Sequence, residues 1–189
     1  MARNVEIKAR VENLATIEQR VAAIADAGPQ HIPQDDTFFH CAQGRLKLRM
    51  FADGSGELIA YERADTAGPK LSDYLRVPVA EPDVMRDALT RACGQRGRVR
   101  KERTLYLIGA TRVHLDVVEG LGQFLELEVV LRDGESIEHG EATAQRLLDA
   151  LSIRAEQLLS QAYIDLLAGP VGASIGATTL AAPTSPRLP

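Results

Sequence analysis

The sequence contains only two cysteines, Cys41 and Cys93, and they lack the CxxC spacing of a zinc site. We therefore expect two reduced thiols rather than a disulfide framework. No stretch approaches the ~20 consecutive apolar residues that a membrane-spanning helix requires. The amino terminus carries charge instead of the apolar segment of a secretory signal. Together these absences predict a cytoplasmic protein with no membrane partner.

Two common nucleotide-binding motifs are also absent. The sequence has no GxxxxGK[S/T] or GxGxxG segment, which argues against a P-loop or a Rossmann site. The net charge of -4 argues against broad electrostatic capture of nucleic acid, so any phosphate site must be local. Lysine is scarce and arginine is the common cation, so a lysine is expected where a compact positive charge matters. The lysines are Lys8, Lys47, Lys70 and Lys101.

A chain of 189 residues suits one domain, which we place at residues 1–168. Residues 169–189 are rich in Ala, Gly, Pro, Ser and Thr and predict a disordered tail. Helical periodicity predicts helices after Asn13, from Pro82 to Gly94, over 137–151 and over 155–167. Hairpin-linked strands with a few helices indicate an α+β fold. Alternation and turn signals predict strands at 4–11, 36–41, 45–51, 57–63, 71–79, 98–108, 111–118 and 123–131.

Charged residues occupy alternate positions on several of these strands, so each set projects from one face. For a single strand, the simpler interpretation is an amphipathic strand with its charges in water. Here, however, the signs are segregated by strand, whereas a solvated face usually mixes them. A closed antiparallel barrel with a polar lumen accommodates these sets and leaves the apolar faces for helices packed outside. The sets are Glu6 and Lys8; Arg45, Lys47 and Arg49; Lys101 and Arg103; His114 and Asp116; and Glu126 and Glu128.

Such a lumen predicts phosphate chemistry. Clustered arginine and lysine suit phosphate oxygens, and the number of cations indicates an extended polyanion such as a triphosphate. Carboxylates without cysteine ligands suit Mg²⁺ or Mn²⁺, which prefer oxygen donors and bridge to phosphates. Among the other residues, Asp35 and Asp36 are expected to be solvated and Tyr163 to lie on the apolar stripe of the last helix. His114 is either a packing residue or a ligand.

Several segments in order over residues 4–130 carry a family resemblance, among them 34–39 and 58–63 as strands of the pattern. Asn-Val-Glu-Ile-Lys at 4–8 is similar to an ExExK signature, and Arg-Leu-Lys-Leu-Arg at 45–49 to a basic strand. Val-Arg-Lys-Glu-Arg at 99–103 is similar to a VxKxR element, and residues 114–128 to an acidic element. In this order the motifs resemble the CYTH superfamily of triphosphate tunnel metalloenzymes. That superfamily includes class IV adenylate cyclases, thiamine triphosphatases and tripolyphosphatases, and the pattern is closest to the class IV cyclase-like branch.

The resemblance implies a tunnel of eight antiparallel strands with assigned roles for its lining. Arg63 is the least secure assignment, since Tyr61 or Glu62 could be the aligned position, and Arg49 and Arg76 are secondary candidates. Lys8, Lys47 and Arg103 are the candidate catalytic residues. The implied metal ligands are Glu6, Asp116, Glu126 and Glu128. The implied triphosphate-binding residues are Lys8, Arg45, Lys47, Arg63, Lys101 and Arg103.

Two departures from the family pattern bear on activity. Asn4 stands where the first glutamate is usual, which removes one metal ligand, and no lysine follows Lys101. We expect a divalent-metal-dependent enzyme, with Mg²⁺ or Mn²⁺, that hydrolyses tripolyphosphate, thiamine triphosphate or ATP. The alternatives are a class IV cyclase that makes cyclic AMP and a non-catalytic polyphosphate or nucleotide binder. The expected partner is a small-molecule triphosphate, and a homodimer is a further possibility.

Overall fold

Eight antiparallel strands form a closed barrel in the order β1-β5-β4-β3-β2-β6-β7-β8, and β8 pairs back to β1. The structure is a computed structural model that describes residues 2–66 and 68–169. The predicted tail therefore lies, apart from Gly169, outside the described residues. The predicted closed eight-stranded α+β fold is confirmed. The strands are β1 (Ala2–Arg10), β2 (Ala27–Phe39), β3 (Arg45–Phe51), β4 (Gly56–Arg63), β5 (Lys70–Val79), β6 (Gln95–Ile108), β7 (Thr111–Val118) and β8 (Gly122–Leu131).

Alternation along each strand separates an apolar exterior from a polar lumen. In β1, Val5 and Ile7 belong to the outer hydrophobic core, whereas Glu6 and Lys8 line the interior of the barrel. The two sets diverge because successive side chains of a strand point to opposite faces. A shift of one residue in register would exchange the two sets, so burial of the apolar face holds the charged face inward.

Three longer helices cover parts of the exterior: α1 (Leu14–Ile24), α2 (Pro82–Cys93) and α3 (Ile137–Leu151). Asn13 caps α1 by accepting a 3.1 Å hydrogen bond from the Thr16 amide. Val21 of α1 and Leu148 of α3 are buried in the largest core cluster, where each side chain contributes about 1.5–3 kcal/mol. α3 approaches the barrel closely at Gly140, where an added Cβ would lie 2.7 Å from Val5 Cγ2. No helix among the described residues has both the length and the apolar character needed to cross a bilayer.

The second strand is much longer than its sequence predicts. β2 begins at Ala27 instead of residue 36, and its added part pairs with β6 from Leu107 down to Arg100. This part contains Pro29 and Pro33 and is largely exposed, so it shows no apolar alternation. Its extended conformation comes from pairing with a long neighbour, which local sequence does not reveal.

The last predicted helix, 155–167, is wrong over most of its length. Ala155–Gln157 is a 3-10 turn, residues 158–162 are not helical, and only α4 (Tyr163–Leu167) is an α-helix. The Leu159 amide donates to the Lys8 carbonyl at 2.8 Å, and Lys70 Nζ donates to the Leu159 and Ser160 carbonyls at 3.2 and 3.1 Å. These tertiary hydrogen bonds replace the helical ones. Residues 158–167, called here the closing segment, therefore lie against the barrel end where β1 finishes.

Candidate active site

A cavity of about 300 Å³ lies inside the barrel and is lined by inward side chains of all eight strands and of the closing segment. Its wall is strongly charged because every strand contributes alternate polar residues. Carboxylates and an imidazole come from β1, β2, β4, β7 and β8. The cations in the wall are Lys8, Lys47, Arg49, Arg63, Arg76, Lys101, Arg103 and Arg112.

One wall carries a group of three residues that could hold a metal ion. His114, Glu126 and Glu128 each offer one ligand atom, and these atoms lie within 4.8 Å of one another. They meet because His114 pairs with Glu126 across β7 and β8, while Glu128 is two residues along the same face. His114 Nδ1 is buried without a hydrogen-bond partner and lies 3.8 Å from a carboxylate oxygen of each glutamate. We call these three residues the ligand triad.

The electrostatics of the triad favour ligands in their metal-binding states. Burial lowers the pKa of His114, with a further contribution from Arg103, so the imidazole is neutral and can donate its lone pair. Burial would raise the pKa of Glu126, but Lys8 and Arg103 hold it well below its usual value. Lys8 Nζ and Arg103 Nη2 donate to Glu126 at 2.7 and 2.5 Å. Glu126 is therefore an ionised carboxylate.

Glu6 adds a further carboxylate beside the triad. Burial and the charge of Glu126 raise the pKa of Glu6, and its contact with Arg63 only partly offsets this. Crowded carboxylates repel one another, and a divalent cation between them would relieve that repulsion. The pattern is therefore consistent with a site that gains stability when a metal ion binds.

A second charged cluster lies on the facing wall and involves Asp36. Asp36 is buried and accepts hydrogen bonds from Lys47 Nζ at 2.8 Å and Arg49 Nε at 2.7 Å. Burial would raise its pKa, yet Arg49 and Lys47 hold it well below the usual value. The expectation of a solvated Asp36 is thus wrong, because β2 extends past it and turns its side chain inward opposite Arg49.

Asp116 forms a third cluster beneath the cavity wall. Its fully buried carboxylate accepts from Arg103 Nε and Nη2, each at 2.7 Å, from Lys101 Nζ at 3.2 Å and from the Tyr163 hydroxyl at 3.0 Å. These four donors use the lone pairs of both carboxylate oxygens of Asp116. The structure therefore places Asp116 as a partner of two cations, apart from the ligand triad.

Tyr163 is a site residue that the sequence analysis placed in an apolar stripe. Besides its bond to Asp116, its ring lies 4.2 Å from Lys8 Nζ and 5.1 Å from Lys101 Nζ. Such contacts between a cation and an aromatic face are attractive and hold the ammonium groups in place. Helical periodicity concealed Tyr163, because its position in the lumen depends on the closing segment.

The cavity brings together most of the residues predicted from sequence. Arg45 is the exception among the cations: it pairs with Asp65 at 2.7 Å and Asp165 at 2.9 Å, and within the described chain it is not part of the cavity wall. Arg63 and Tyr61 both line the cavity, while Glu62 is exposed. The predicted residues in the wall are Glu6, Lys8, Lys47, Arg63, Lys101, Arg103, Glu126 and Glu128, joined by the secondary candidates Arg49 and Arg76. Sequence analysis missed Arg112, whose Nη1 lies 3.2 Å from Glu128 Oε2. Arg112 could have been predicted, because it lies two residues before His114 on the same strand and therefore on the same face.

The chain belongs to the CYTH domain family, whose model matches residues 2–163. This match spans the barrel and reaches Tyr163. A comparison with curated protein sequences finds no significant match.

Solved structures with the same fold come from several organisms. The PH1012 protein of Pyrococcus horikoshii is 23% identical, with a TM-score of 0.77 over 86% of this chain and 98% of that one. A candidate adenylate cyclase of Vibrio parahaemolyticus is 17% identical, with a TM-score of 0.72 over 87% and 97%. A candidate adenylyl cyclase of Hippeastrum with a dominant triphosphatase activity is 14% identical, with a TM-score of 0.61 over 85% and 91%. At these identities the likeness establishes the shared fold.

Proposed function

We propose that the protein is a divalent-metal-dependent phosphohydrolase that acts on a triphosphate. The observation that carries this proposal is the convergence of many cations and a carboxylate-rich ligand triad on one cavity. A polyanion needs several cationic partners, and its metal counterion needs oxygen ligands. Membership of the CYTH family supports the same class of substrate.

The ligand triad fits a divalent ion on chemical grounds. Two carboxylates and one neutral imidazole make a mixed oxygen and nitrogen donor set, which suits Mn²⁺ and, with water completing the shell, Mg²⁺. The unpartnered Nδ1 of His114 is a buried polar atom that a ligand would satisfy. His114, Glu126 and Glu128 would hold the ion, with Glu6 nearby. A bound ion would polarise a phosphoryl oxygen and neutralise charge on the leaving group.

The cations have donors left for a triphosphate. Arg63 Nε and Nη2 are buried and lack hydrogen-bond partners. A guanidinium has five N–H donors. Arg49 uses two of them on Asp36, and Arg103 uses three on Asp116 and Glu126, so three and two donors remain. Free guanidinium donors suit phosphate oxygens through charge-assisted hydrogen bonds.

Three of these cations are proposed to act in the chemical step. Lys8 and Arg103 both contact Glu126, so they lie beside the proposed metal and the reacting phosphoryl group. Lys47, on another wall, would hold the remaining phosphates together with Arg49. Water attacks the terminal phosphorus, the bridging P–O bond breaks, and orthophosphate and a diphosphate leave. Positive charge around these oxygens stabilises the transition state.

Hydrolysis is favoured over cyclisation by the size of the cavity. About 300 Å³ is at the lower end of small-molecule sites, which span roughly 300–1,000 Å³. Such a volume suits a triphosphate with water. Cyclisation requires in addition that the ribose 3′-hydroxyl be held against the α-phosphate inside the same charged space.

The experiment is a product assay on purified protein with Mg²⁺ or Mn²⁺ and, in turn, tripolyphosphate, thiamine triphosphate and ATP. We expect orthophosphate release from at least one substrate, and loss of at least ~100-fold in rate for Glu128→Gln, since even outer-shell changes cost 10–100-fold. The matched control is Glu102→Gln on the exposed outer face of β6, which should behave as wild type. Cyclic AMP as the main product would identify a cyclase, and tight triphosphate binding without turnover would identify a binder.

A further inference from the structure

Lys70 is a lysine that has no part in the chemistry above. Lys8, Lys47 and Lys101 line the cavity, whereas Lys70, within the described chain, does not. Its side chain is nonetheless buried, with only 4% of its surface exposed. Lys70 begins β5 on the inward face, two residues before Ser72, which does line the cavity. A buried ammonium group is costly unless it is hydrogen-bonded, so its partners indicate what it does.

Lys70 uses its ammonium group on three backbone carbonyls. Its Nζ donates to the carbonyl oxygens of Thr66 at 2.9 Å, Leu159 at 3.2 Å and Ser160 at 3.1 Å. Burial lowers the pKa of Lys70 to about 8, with a further contribution from Arg63. At pH 7 the group is therefore an ammonium with three N–H donors. Three donors meet three acceptors, which leaves none for a phosphate oxygen.

These carbonyls belong to two parts of the chain that are far apart in sequence. Thr66 lies in the connection between β4 and β5, whereas Leu159 and Ser160 belong to the closing segment. The Leu159 amide also donates to the Lys8 carbonyl at 2.8 Å. This part of the closing segment is not helical, so hydrogen bonds to the barrel determine its path. Lys70 therefore holds the closing segment against the barrel.

The closing segment carries Tyr163 into the cavity. The Tyr163 ring lies 4.2 Å from Lys8 Nζ and 5.1 Å from Lys101 Nζ, and its hydroxyl donates to Asp116 at 3.0 Å. Both ammonium groups belong to the wall that a bound triphosphate would contact. The position of the ring depends on the residues just before it in the chain, and these are the residues that Lys70 holds.

We propose that Lys70 is a positioning residue for triphosphate binding, which holds the closing segment so that Tyr163 keeps two wall ammonium groups in place. The two groups are those of Lys8 and Lys101. This inference rests on the proposed function for the identity of the ligand. The position requires a lysine, because an ammonium presents three donors around one atom, whereas a glutamine amide has two and a guanidinium is a planar fork.

A double-mutant cycle on tripolyphosphate binding tests this proposal, by calorimetry at pH 7 in EDTA so that metal-dependent turnover plays no part. Lys70→Met should raise the Kd about tenfold in the wild-type background. In the Tyr163→Leu background the same substitution should raise it by less than about twofold, because the segment no longer carries the ring. A direct effect of the lost charge would act equally in both backgrounds, so the cycle separates positioning from simple attraction.

Two further measurements complete the design. Lys70→Gln keeps two donors and should give an intermediate loss in the same cycle, which covers the case that Lys70→Met does not fold. Hydrogen exchange provides a readout without ligand: the amides of the closing segment should exchange faster in both variants, while those of α3 stay unchanged. The matched control is Arg91→Met at the exposed end of α2, which removes the same charge and should bind as wild type.

The possible failures have different meanings. Equal losses of affinity in the two backgrounds, or an unchanged Kd in both Lys70 variants, would overturn the inference and leave the proposed function standing. Unchanged exchange of the closing segment would overturn it as well. Wild-type protein that does not bind tripolyphosphate would overturn the proposed function and, with it, the inference that rests on it.

Discussion

Glu126 is the residue whose replacement tests the charge network most directly. Its carboxylate accepts from Lys8 at 2.7 Å and from Arg103 at 2.5 Å, and it belongs to the ligand triad. Glu126→Gln keeps the volume and one acceptor but removes the negative charge. Two buried cations then lose a partner: Arg103 retains Asp116 at 2.7 Å, and Lys8 retains the more distant Glu6 at 3.7 Å.

The expected effect on stability is a loss. Breaking a buried ion pair costs about 3–5 kcal/mol, and the retained amide oxygen and the second partner of Arg103 place the expected value near the lower limit. A loss of about 3 kcal/mol would lower the melting temperature by about 6–12 °C for a domain of this size. Glu102→Gln, exposed on the outer face of β6, should change the free energy of unfolding by less than about 0.5 kcal/mol.

The same variant reports on metal binding. Wild-type protein should gain about 2.7 kcal/mol of stability at a metal concentration 100 times the Kd, whereas Glu126→Gln should gain much less. Urea unfolding with and without Mn²⁺ measures both effects in one assay. A variant that is as stable as wild type, or that is stabilised equally by Mn²⁺, would refute the reasoning about this carboxylate.

Three further predictions follow from the clusters around the cavity. Asp36→Asn should cost about 3 kcal/mol at pH 7; because the folded-state pKa of Asp36 is lowered, its contribution is present above pH ~4 and is lost as pH falls. Urea unfolding across pH 2–7 should therefore show a smaller acid-side decline in the variant, and equal declines would contradict this. Burial and the nearby Arg103 lower the pKa of Lys101 to about 7, so tripolyphosphate affinity should fall about tenfold between pH 7 and 8.5 as Lys101 loses its proton. Lys101→Met should lack that inflection in a calorimetric titration series. Tyr163→Phe removes the hydroxyl bond to Asp116 but keeps the ring and should cost about 1 kcal/mol, whereas Tyr163→Leu should also weaken tripolyphosphate binding; equal binding by the two variants would argue against the aromatic contact.

Much of the barrel could be predicted from the sequence because its information is local. Alternation assigns Glu6 and Lys8 to one face and Val5 and Ile7 to the other whatever the partner strands are. Sign segregation between strands then argues for a lumen, and the structure places these residues there. Helix α1 could also be predicted from the sequence, because Asn13 marks its start and the spacing of its apolar residues marks its buried face.

The residues that sequence analysis misplaced depend on contacts distant in the chain. Asp36 looks solvated until β2 is extended by its pairing with β6, and Arg45 looks like a lumen cation until Asp65 and Asp165 engage it. Helical periodicity predicts that Tyr163 lies on the apolar face of a helix. It enters the lumen because Lys70 and the end of β1 hold the closing segment in a non-helical conformation.

The sequence alone therefore determined the alternation of the strands, the charged character of the lumen and the family of the chain. Tertiary structure decided which charges meet, because hydrogen-bonded register sets pair distances and register is a property of two strands together. It also decided that His114, Glu126 and Glu128 converge, whereas Asp116 accepts hydrogen bonds from two cations and Tyr163.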